Sequence, residues 1–471
     1  MLSAHISSQI YRIFAFEPTI GQKKIIEKLA AFISEGDPGT VFMINGYAGT
    51  GKTSVISALV KALNQFKIKT VLMAPTGRAA KVFALAAGTN AYTIHKKIYR
   101  QKNLSSDRVH FDLDFNKDRD AVYIVDEASM LSNFGGDASI FGSGHLLDDL
   151  IAYVRSGQNG KLIVVGDNAQ LPPIGLEHSP ALDAHDMAIY GKPELSTLDE
   201  VMRQGEESGV LFNATLVRCM IEENIIDIPL FRTDFPDVKS LNGGEFLEEL
   251  GSAYDRYGME NVIVITRSNK RANQFNEGIR RHILFREEEL SAGDMLMVVK
   301  NNYYFAEKNK EAEIDFIANG DTARLERIRR FDEQFGFRFA DVVLSFPDYD
   351  GLELECKVML DTLQSESPSL TQEQSSGLWW KVSEDYADIP NKSKRYRAIR
   401  EDAYYNAMQI KFSYAVTCHK AQGGQWNCVF IDKMLFGEEE MTLDRMRWLY
   451  TAITRATEQV CFINFDERFF E

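Results

Sequence analysis

At 471 residues the chain holds material for about three domains of roughly 150 residues, so a lone small module is excluded. Apolar residues at 45%, charged residues at 26% and aromatics at 11% fit a soluble globular protein and exclude a disordered or collagen-like one. With 53 Lys and Arg against 68 Asp and Glu the net charge is −15, which repels a polyanion unless the basic residues are gathered in one place.

The five cysteines (Cys219, Cys356, Cys418, Cys428, Cys461) are odd in number and widely spread, and none forms the C-x2-C pairs of zinc or redox sites, which points to reduced thiols. No apolar run is long enough to span a bilayer, and Met1 to Phe16 lacks a signal-peptide layout. The expectation is a cytoplasmic protein without a membrane partner.

In chain order, helical spacing of apolar residues predicts a helix over Lys23 to Ile33, and Gly36 to Gly39 then turn the chain into an apolar strand, Val41 to Ile44. A helix to about Gln65 follows, then strands at Thr70 to Met73, Ala121 to Val125 and Lys161 to Val165. Buried runs separated by helices predict a parallel sheet wrapped by helices. Further runs at Val262 to Ile265, Ser413 to Val416 and Cys428 to Ile431 predict a second α/β domain built from two distant pieces of sequence. Between them, from about Asp294 to Asp361, alternating segments such as Arg338 to Ser345 and Leu352 to Leu360 predict an inserted β-barrel. Gln364 to Gln374 reads as an exposed loop. Tyr386 to Arg400 carries a basic run.

Three motifs carry chemistry. Gly46-Tyr-Ala48-Gly49-Thr50-Gly51-Lys52-Thr53 fits the phosphate-binding loop pattern, sits directly after a predicted strand and opens a predicted helix, and Ser54 joins it as a candidate nucleotide-binding residue. Its glycines let successive amides face phosphate, Lys52 reaches the β and γ oxygens, and the Thr53 hydroxyl suits Mg²⁺. Asp126 and Glu127 end a buried strand, where an open parallel sheet binds its ligands. Downstream of such a loop, Asp126 would hold Mg²⁺ and Glu127 would take a proton from attacking water; two acids after a strand also occur as a helix N-terminal charge pair. Gly166-Asp167-Asn168-Ala169-Gln170-Leu171-Pro172-Pro173 ends a third strand, and Gln170 offers an uncharged amide to a γ-phosphate or a water. The alternative is a plain turn.

These motifs, with Ala74-Pro75-Thr76-Gly-Arg78-Ala-Ala80, Thr93-Ile-His95, Val201-Met-Arg203-Gln204, Thr417-Cys-His419-Lys420-Ala-Gln422-Gly423 and Tyr450-Thr451-Ala-Ile-Thr454-Arg455-Ala456, occur in an order and spacing that resembles the superfamily 1 DNA helicases, in their RecD-like branch. The resemblance runs from about Gln22 to Ala456. It implies an α/β fold of two RecA-like P-loop motor domains with parallel sheets and a small inserted SH3-like β-barrel. The first motor would span 1–196, with a pin insertion at about 94–118; the second would combine 197–293 with 404–471, and the barrel with its basic extension would occupy 294–403. It further implies an ATP-dependent DNA helicase working with Mg²⁺ and moving 5′ to 3′. Gln22 looks like the adenine-reading glutamine, and Arg203 and Arg455 look like the two arginines donated across the cleft. Gln422 and Gly423 would face the nucleotide. Pro75, Thr76, Arg78, Thr93, His95, Thr417 and His419 would line the nucleic-acid path.

The chain departs from its relatives at Gly424-Gln425-Trp426, where many have a Ser-Glu pair. The short pin segment carries Lys96, Lys97, Arg100 and Lys102 beside Tyr99, which suits either phosphate contact or a solvated charge run. Expected partners are single-stranded DNA and its junctions with duplex, and repair, recombination or replication proteins, with a monomer as the working form. Two other functions share the phosphate loop. A DNA-stimulated clamp would lack independent unwinding, and a small-molecule kinase would leave Arg203, Arg455 and the second α/β domain unexplained.

Overall fold

The structure is a computed structural model that describes residues 2–14, 16–101, 111–133, 141–200, 208–308, 316–349, 351–433 and 439–471. Eight strands fall in its first part: β1 (Val41–Gly46), β2 (Thr70–Ala74), β3 (Ala91–Thr93), β4 (Tyr99–Gln101), β5 (Phe111–Leu113), β6 (Val122–Val125), β7 (Lys161–Gly166) and β8 (Pro193–Leu198). All but β4 and β5 join one six-stranded sheet in the order β3-β2-β6-β7-β1-β8, with every pairing parallel. Burial on both faces explains why β1 and β6 read as continuous apolar runs. The helix predicted over Lys23 to Ile33 extends over Ile20–Glu35, because Thr19 and Gln22 form a capping box that adds a turn at its start. A helix at Leu2–Ile13, unforeseen in sequence, buries Ile6 and Ile10 against it.

The second sheet contains β9 (Val238–Leu241), β10 (Val262–Thr266), β16 (Ala415–Thr417), β17 (Trp426–Asp432) and β18 (Ala456–Ile463), again all parallel, in the order β16-β10-β17-β18-β9. Between β10 and β16 lies a closed barrel of β11 (Met295–Val298), β12 (Thr322–Gln334), β13 (Phe337–Phe346), β14 (Leu352–Met359) and β15 (Met408–Phe412). The α/β fold with two parallel sheets and an inserted barrel agrees with the expectation from sequence. The β12–β13 hairpin turns on Phe335 and Gly336, whose φ values of 58° and 73° are those of a two-residue primed turn.

Two sequence expectations are corrected. The barrel does not end at residue 403: β15 closes it, pairing antiparallel with β11 and parallel with β14 while Met408, Ile410 and Phe412 enter its core. That core is continuous with Val262, Val264 and Phe430 of the second sheet, so the barrel and second sheet share one apolar body. The exposed loop also stops short of Gln374, because Thr371 caps a helix over Gln372–Asp385. With a second helix, Lys392–Arg400, it covers the barrel side, where Trp379 stacks on Tyr396 at 5.8 Å and Trp380 stays exposed. In the basic run, Arg395 donates to the carbonyls of Ala387 and Ile389, and Arg397 pairs with Glu401. No helix among the described residues is long and apolar enough to cross a membrane.

Candidate functional site

A cavity of about 440 Å³ opens at the C-terminal ends of β1, β6 and β7, where the first sheet faces the second. Its floor is the loop from Gly46 to Thr53, and Ala48, Gly49, Gly51, Lys52 and Thr53 line it. Gly49 and Gly51 have φ values of 74° and 81°, which glycine adopts without cost. The other loop residues take supporting places. Gly46 leaves room for the Lys52 stem, Thr50 turns inward to donate to Tyr47 O at 2.7 Å, and Ser54 is exposed one position further along the helix. Gln22 lies behind the loop, accepting from Thr19 N at 3.0 Å and donating to Thr50 O at 2.9 Å. It therefore braces the loop and does not line the cavity.

Lys52 donates to the carbonyls of Gly46 and Tyr47 and stands 3.9 Å from Asp167. Asp126 and Glu127 reach the same space from the end of β6. Burial, reinforced by the neighbouring Glu127 charge, raises the Asp126 carboxyl above the usual carboxylate range; Lys52 and Arg455 pull the other way. Glu127 occupies the left-handed region at φ 53°, which aims its side chain across the cavity from a backbone that costs a non-glycine residue energy. Gln170 is buried and its Oε1 has no hydrogen-bond partner, leaving an acceptor available to a group entering the cavity.

The opposite wall comes from the helix Leu443–Ile453 and the turn after it. Arg455, only 3% exposed, reaches to 3.6 Å from Glu127 and also donates to Thr451 O, Gly424 O and Thr454 Oγ1. Tyr450 stitches the walls together: its hydroxyl donates to Asp167 at 2.6 Å and accepts from Ala48 N at 2.9 Å. Thr451 Oγ1 accepts from Leu171 N at 2.8 Å. Gln422 donates to Leu171 O at 2.8 Å, so it contacts the β7 exit while Gly423 lines the cavity. Tyr450 is the residue that sequence reasoning passes over, although it lies inside the motif that supplies Arg455. Arg203 lies outside the described residues.

A second, larger cavity of about 740 Å³ runs between the helix Gly77–Ala87 and the barrel. Of the residues expected on a nucleic-acid path, Thr93 lines this groove, together with Lys96, Tyr92, Phe316 and Tyr349. Thr76 and Thr93 cap helices, accepting from Ala79 N and Lys96 N at 3.2 Å each, so their hydroxyls set the first turns beside the groove. Pro75 leads into the Thr76 cap. Arg78 lies outside this groove and packs on Trp426. The His95 ring packs against Tyr99 and Phe141 at 5.7 and 4.9 Å. Thr417 and His419 start the short helix after β16, with His419 exposed. In the ribbon β4–β5, Arg100 pairs with Asp114 at 3.3 Å, and nearby Lys97 pairs with Asp118 at 3.8 Å. Lys102 and the ribbon tip lie outside the described residues.

Residues 19–218 match the AAA domain family, and residues 412–463 match the UvrD-like helicase C-terminal domain family. An uncharacterized protein of Acanthamoeba polyphaga mimivirus is 22% identical over 532 aligned residues, covering 94% of this chain and 99% of that protein. The ATP-dependent RecD2 DNA helicase of Deinococcus radiodurans is 28% identical over 163 residues, which are 33% of this chain and 19% of that protein. Among solved structures, the Pif1 helicase from Bacteroides in complex with ADP-AlF3 and ssDNA aligns with a TM-score of 0.48 at 14% identity, covering 95% of this chain and 92% of that one. The Pif1 helicase from Candida albicans aligns with a TM-score of 0.41 at 15% identity, covering 96% of both chains.

Proposed function

We propose that the chain is a superfamily 1 helicase of the RecD-like branch, a reading supported by its AAA-domain and UvrD-like C-terminal matches and its likeness to a RecD2 helicase, and that it is an ATP-driven motor that moves 5′ to 3′ along single-stranded DNA and separates the duplex ahead of it. The observation that carries this reading is the cleft itself. Carboxylates on one parallel sheet meet a buried arginine from the other, with Arg455 and Glu127 3.6 Å apart. Hydrolysis at such a boundary ties nucleotide state to the relative position of the two sheets.

The chemistry follows from the residues around the cavity. Lys52 exchanges its two carbonyl partners for the β and γ oxygens of ATP. Thr53 and Asp126 share the cavity, and a hydroxyl with a buried carboxylate is a donor set that fits Mg²⁺, which supplies charge neutralisation on the phosphate oxygens. Glu127 takes the proton from the attacking water, and Gln170 orients that water through its unused carbonyl oxygen. Arg455 leaves Glu127 for the charge that develops on the γ-phosphate, and Arg203 is the second such cation by its motif.

Single-stranded DNA occupies the groove beside the barrel, where Tyr92, Phe316 and Tyr349 offer faces for bases and Lys96 a cation for phosphate. Such contacts hold a strand without reading its sequence. Because the barrel shares its core with the second sheet, the two move as one body when the cleft closes. The working form in this reading is a monomer, acting at junctions of single- and double-stranded DNA during repair, recombination or replication.

The test is unwinding of two matched fluorescent duplexes, one with a 5′ tail and one with a 3′ tail, with ATP or a non-hydrolysable analogue. ATP-dependent opening of the 5′-tailed duplex alone is expected. DNA-stimulated hydrolysis without opening of either duplex points instead to a clamp that needs a partner to unwind.

A further inference from the structure

The segment Gly423-Gly424-Gln425-Trp426, whose last three residues depart from the family motif, leads from the short helix Cys418–Ala421 into β17 and packs against the first turn of Gly77–Ala87. The approach leaves no room for side chains. A Cβ at Gly423, whose φ is 73°, would stand 2.8 Å from Ala79 Cβ and 3.2 Å from Thr76 Oγ1. One at Gly424 would collide with the Trp426 ring and lie 3.2 Å from Arg78 Cδ. Trp426 is 4% exposed, and the Arg78 guanidinium lies 4.0 Å from its ring centroid while Nη2 donates to Gln425 O at 3.0 Å.

The far side of the same segment belongs to Arg455. Its Nη1 donates to Gly424 O at 3.3 Å, and Trp426 N donates to Arg455 O at 2.9 Å. Three consecutive residues, Gly424 to Trp426, are thus gripped between a cation of the first sheet's helix and the cation that serves the cavity. In this arrangement the Arg455 guanidinium donates to Thr451 O, Gly424 O and Thr454 Oγ1 and stands beside Glu127. This is a resting geometry, since the guanidinium is occupied by protein groups in place of phosphate.

We propose that the Arg78–Trp426 stack is a latch that holds Arg455 in this resting position until single-stranded DNA draws Arg78 away, making Trp426 a positioning residue for hydrolysis. The inference rests on the DNA-motor reading above. Arg78 has two competing partners: an indole face with one carbonyl, and a DNA phosphate arriving at the first turn of its own helix. A charge-assisted contact with phosphate is stronger than a cation–π stack of this kind. Once Arg78 leaves, the Gln425 carbonyl and the Trp426 ring are no longer held from the first sheet, the segment that carries the Gly424 carbonyl can shift, and Arg455 is free to turn to the nucleotide.

The experiment measures ATP turnover without DNA and with saturating oligo(dT) for the wild type, Trp426→Ala, Trp426→Phe and Arg78→Ala. Trp426→Ala is expected to raise DNA-free turnover about 5- to 10-fold at an unchanged DNA-saturated rate, so that the stimulation ratio shrinks. Trp426→Phe keeps an aromatic face and stays near the wild type. Arg78→Ala opens the latch from the other side and also raises DNA-free turnover, and combining it with Trp426→Ala gives no further rise. A ring that merely fills the core would lower both rates together, and that result overturns the latch, as does a Trp426→Ala enzyme with the wild-type ratio. Should Trp426→Ala fail to fold, a wild-type DNA-free rate in Arg78→Ala overturns it instead. A wild type that ignores DNA brings down the motor reading and the latch together, whereas a stimulated wild type with unresponsive variants brings down the latch alone.

Discussion

Arg455 owes its position to groups that a shorter side chain cannot reach. It sits just after the helix Leu443–Ile453, and its donors satisfy Thr451 O and Gly424 O before it meets Glu127. Replacing it with Ala strands the Gly424 acceptor, at about 1–3 kcal/mol of stability for a group so stranded, while Thr451 O keeps its bond from Thr454 Oγ1. The larger effect falls on chemistry, because a cation aimed at developing charge acts mainly in the transition state. Arg455→Ala is expected to bind ATP with little change and to lose about 10²- to 10³-fold in kcat. Nucleotide titration and steady-state turnover measure the two separately, and wild-type turnover would remove Arg455 from the catalytic set. Tyr450 belongs to the same helix. Its hydroxyl joins Ala48 N to Asp167, so the helix that supports Arg455 also fixes the loop under the phosphates. Burial raises the Asp167 carboxyl, and the Lys52 charge and Tyr450 hydrogen bond counter that rise.

The helix Gly77–Ala87 shows how one element serves two neighbours. Ala79 meets Gly423 on one side of its first turn, and on the other a Cβ at Gly77 would collide with Asp321 of the barrel. Asp321 is fully buried; Oδ2 accepts from Tyr349 Oη at 2.6 Å and from Ala318 N at 2.7 Å, while Oδ1 has no partner. Burial, with the charge of Asp348 adding to it, pushes this carboxyl from 3.8 up to about 7, and Lys81 engages Asp348 at 3.3 Å. Between these two values the native state keeps a proton that the unfolded chain has lost, so stability falls as pH rises through that window. The loss is a few kcal/mol at most, at about 1.4 kcal/mol per pH unit. Asp321→Asn keeps an acceptor for Tyr349 and removes the charge. Its unfolding midpoint is expected to match the wild type below about pH 4 and to exceed it near about pH 8. A variant less stable than the wild type at the higher pH would mean that the ionised carboxylate is the form the barrel needs.

Across the whole molecule, what sequence makes legible is what it keeps contiguous. β1 and β6 stand out because every position is buried and the runs Val41 to Ile44 and Val122 to Val125 are apolar throughout, and the phosphate loop and the Asp126-Glu127 pair each follow such a run. β3 is three residues long and too short for a pattern to emerge. The exposed face of β12 carries Arg327, Arg329 and Arg330, whose partners Glu353, Glu355 and Asp341 lie on β13 and β14, pairings that no local pattern announces. Tyr450 with Asp167 and Arg78 with Gln425 span 283 and 347 residues, and no local pattern announces such contacts. The same separation in space yields the last prediction. Lys52 lines the smaller cavity under the cleft, whereas Thr93, Tyr92, Lys96 and the barrel residues line the groove. Lys52→Ala therefore removes the cation that meets the phosphates and leaves the groove untouched. Turnover is expected to fall by at least about 10²-fold, while fluorescence anisotropy with labelled oligo(dT) returns the wild-type affinity. Turnover at the wild-type rate would show that the cavity under the cleft is not where ATP is hydrolysed, and lost DNA binding would show that groove and cavity are one site.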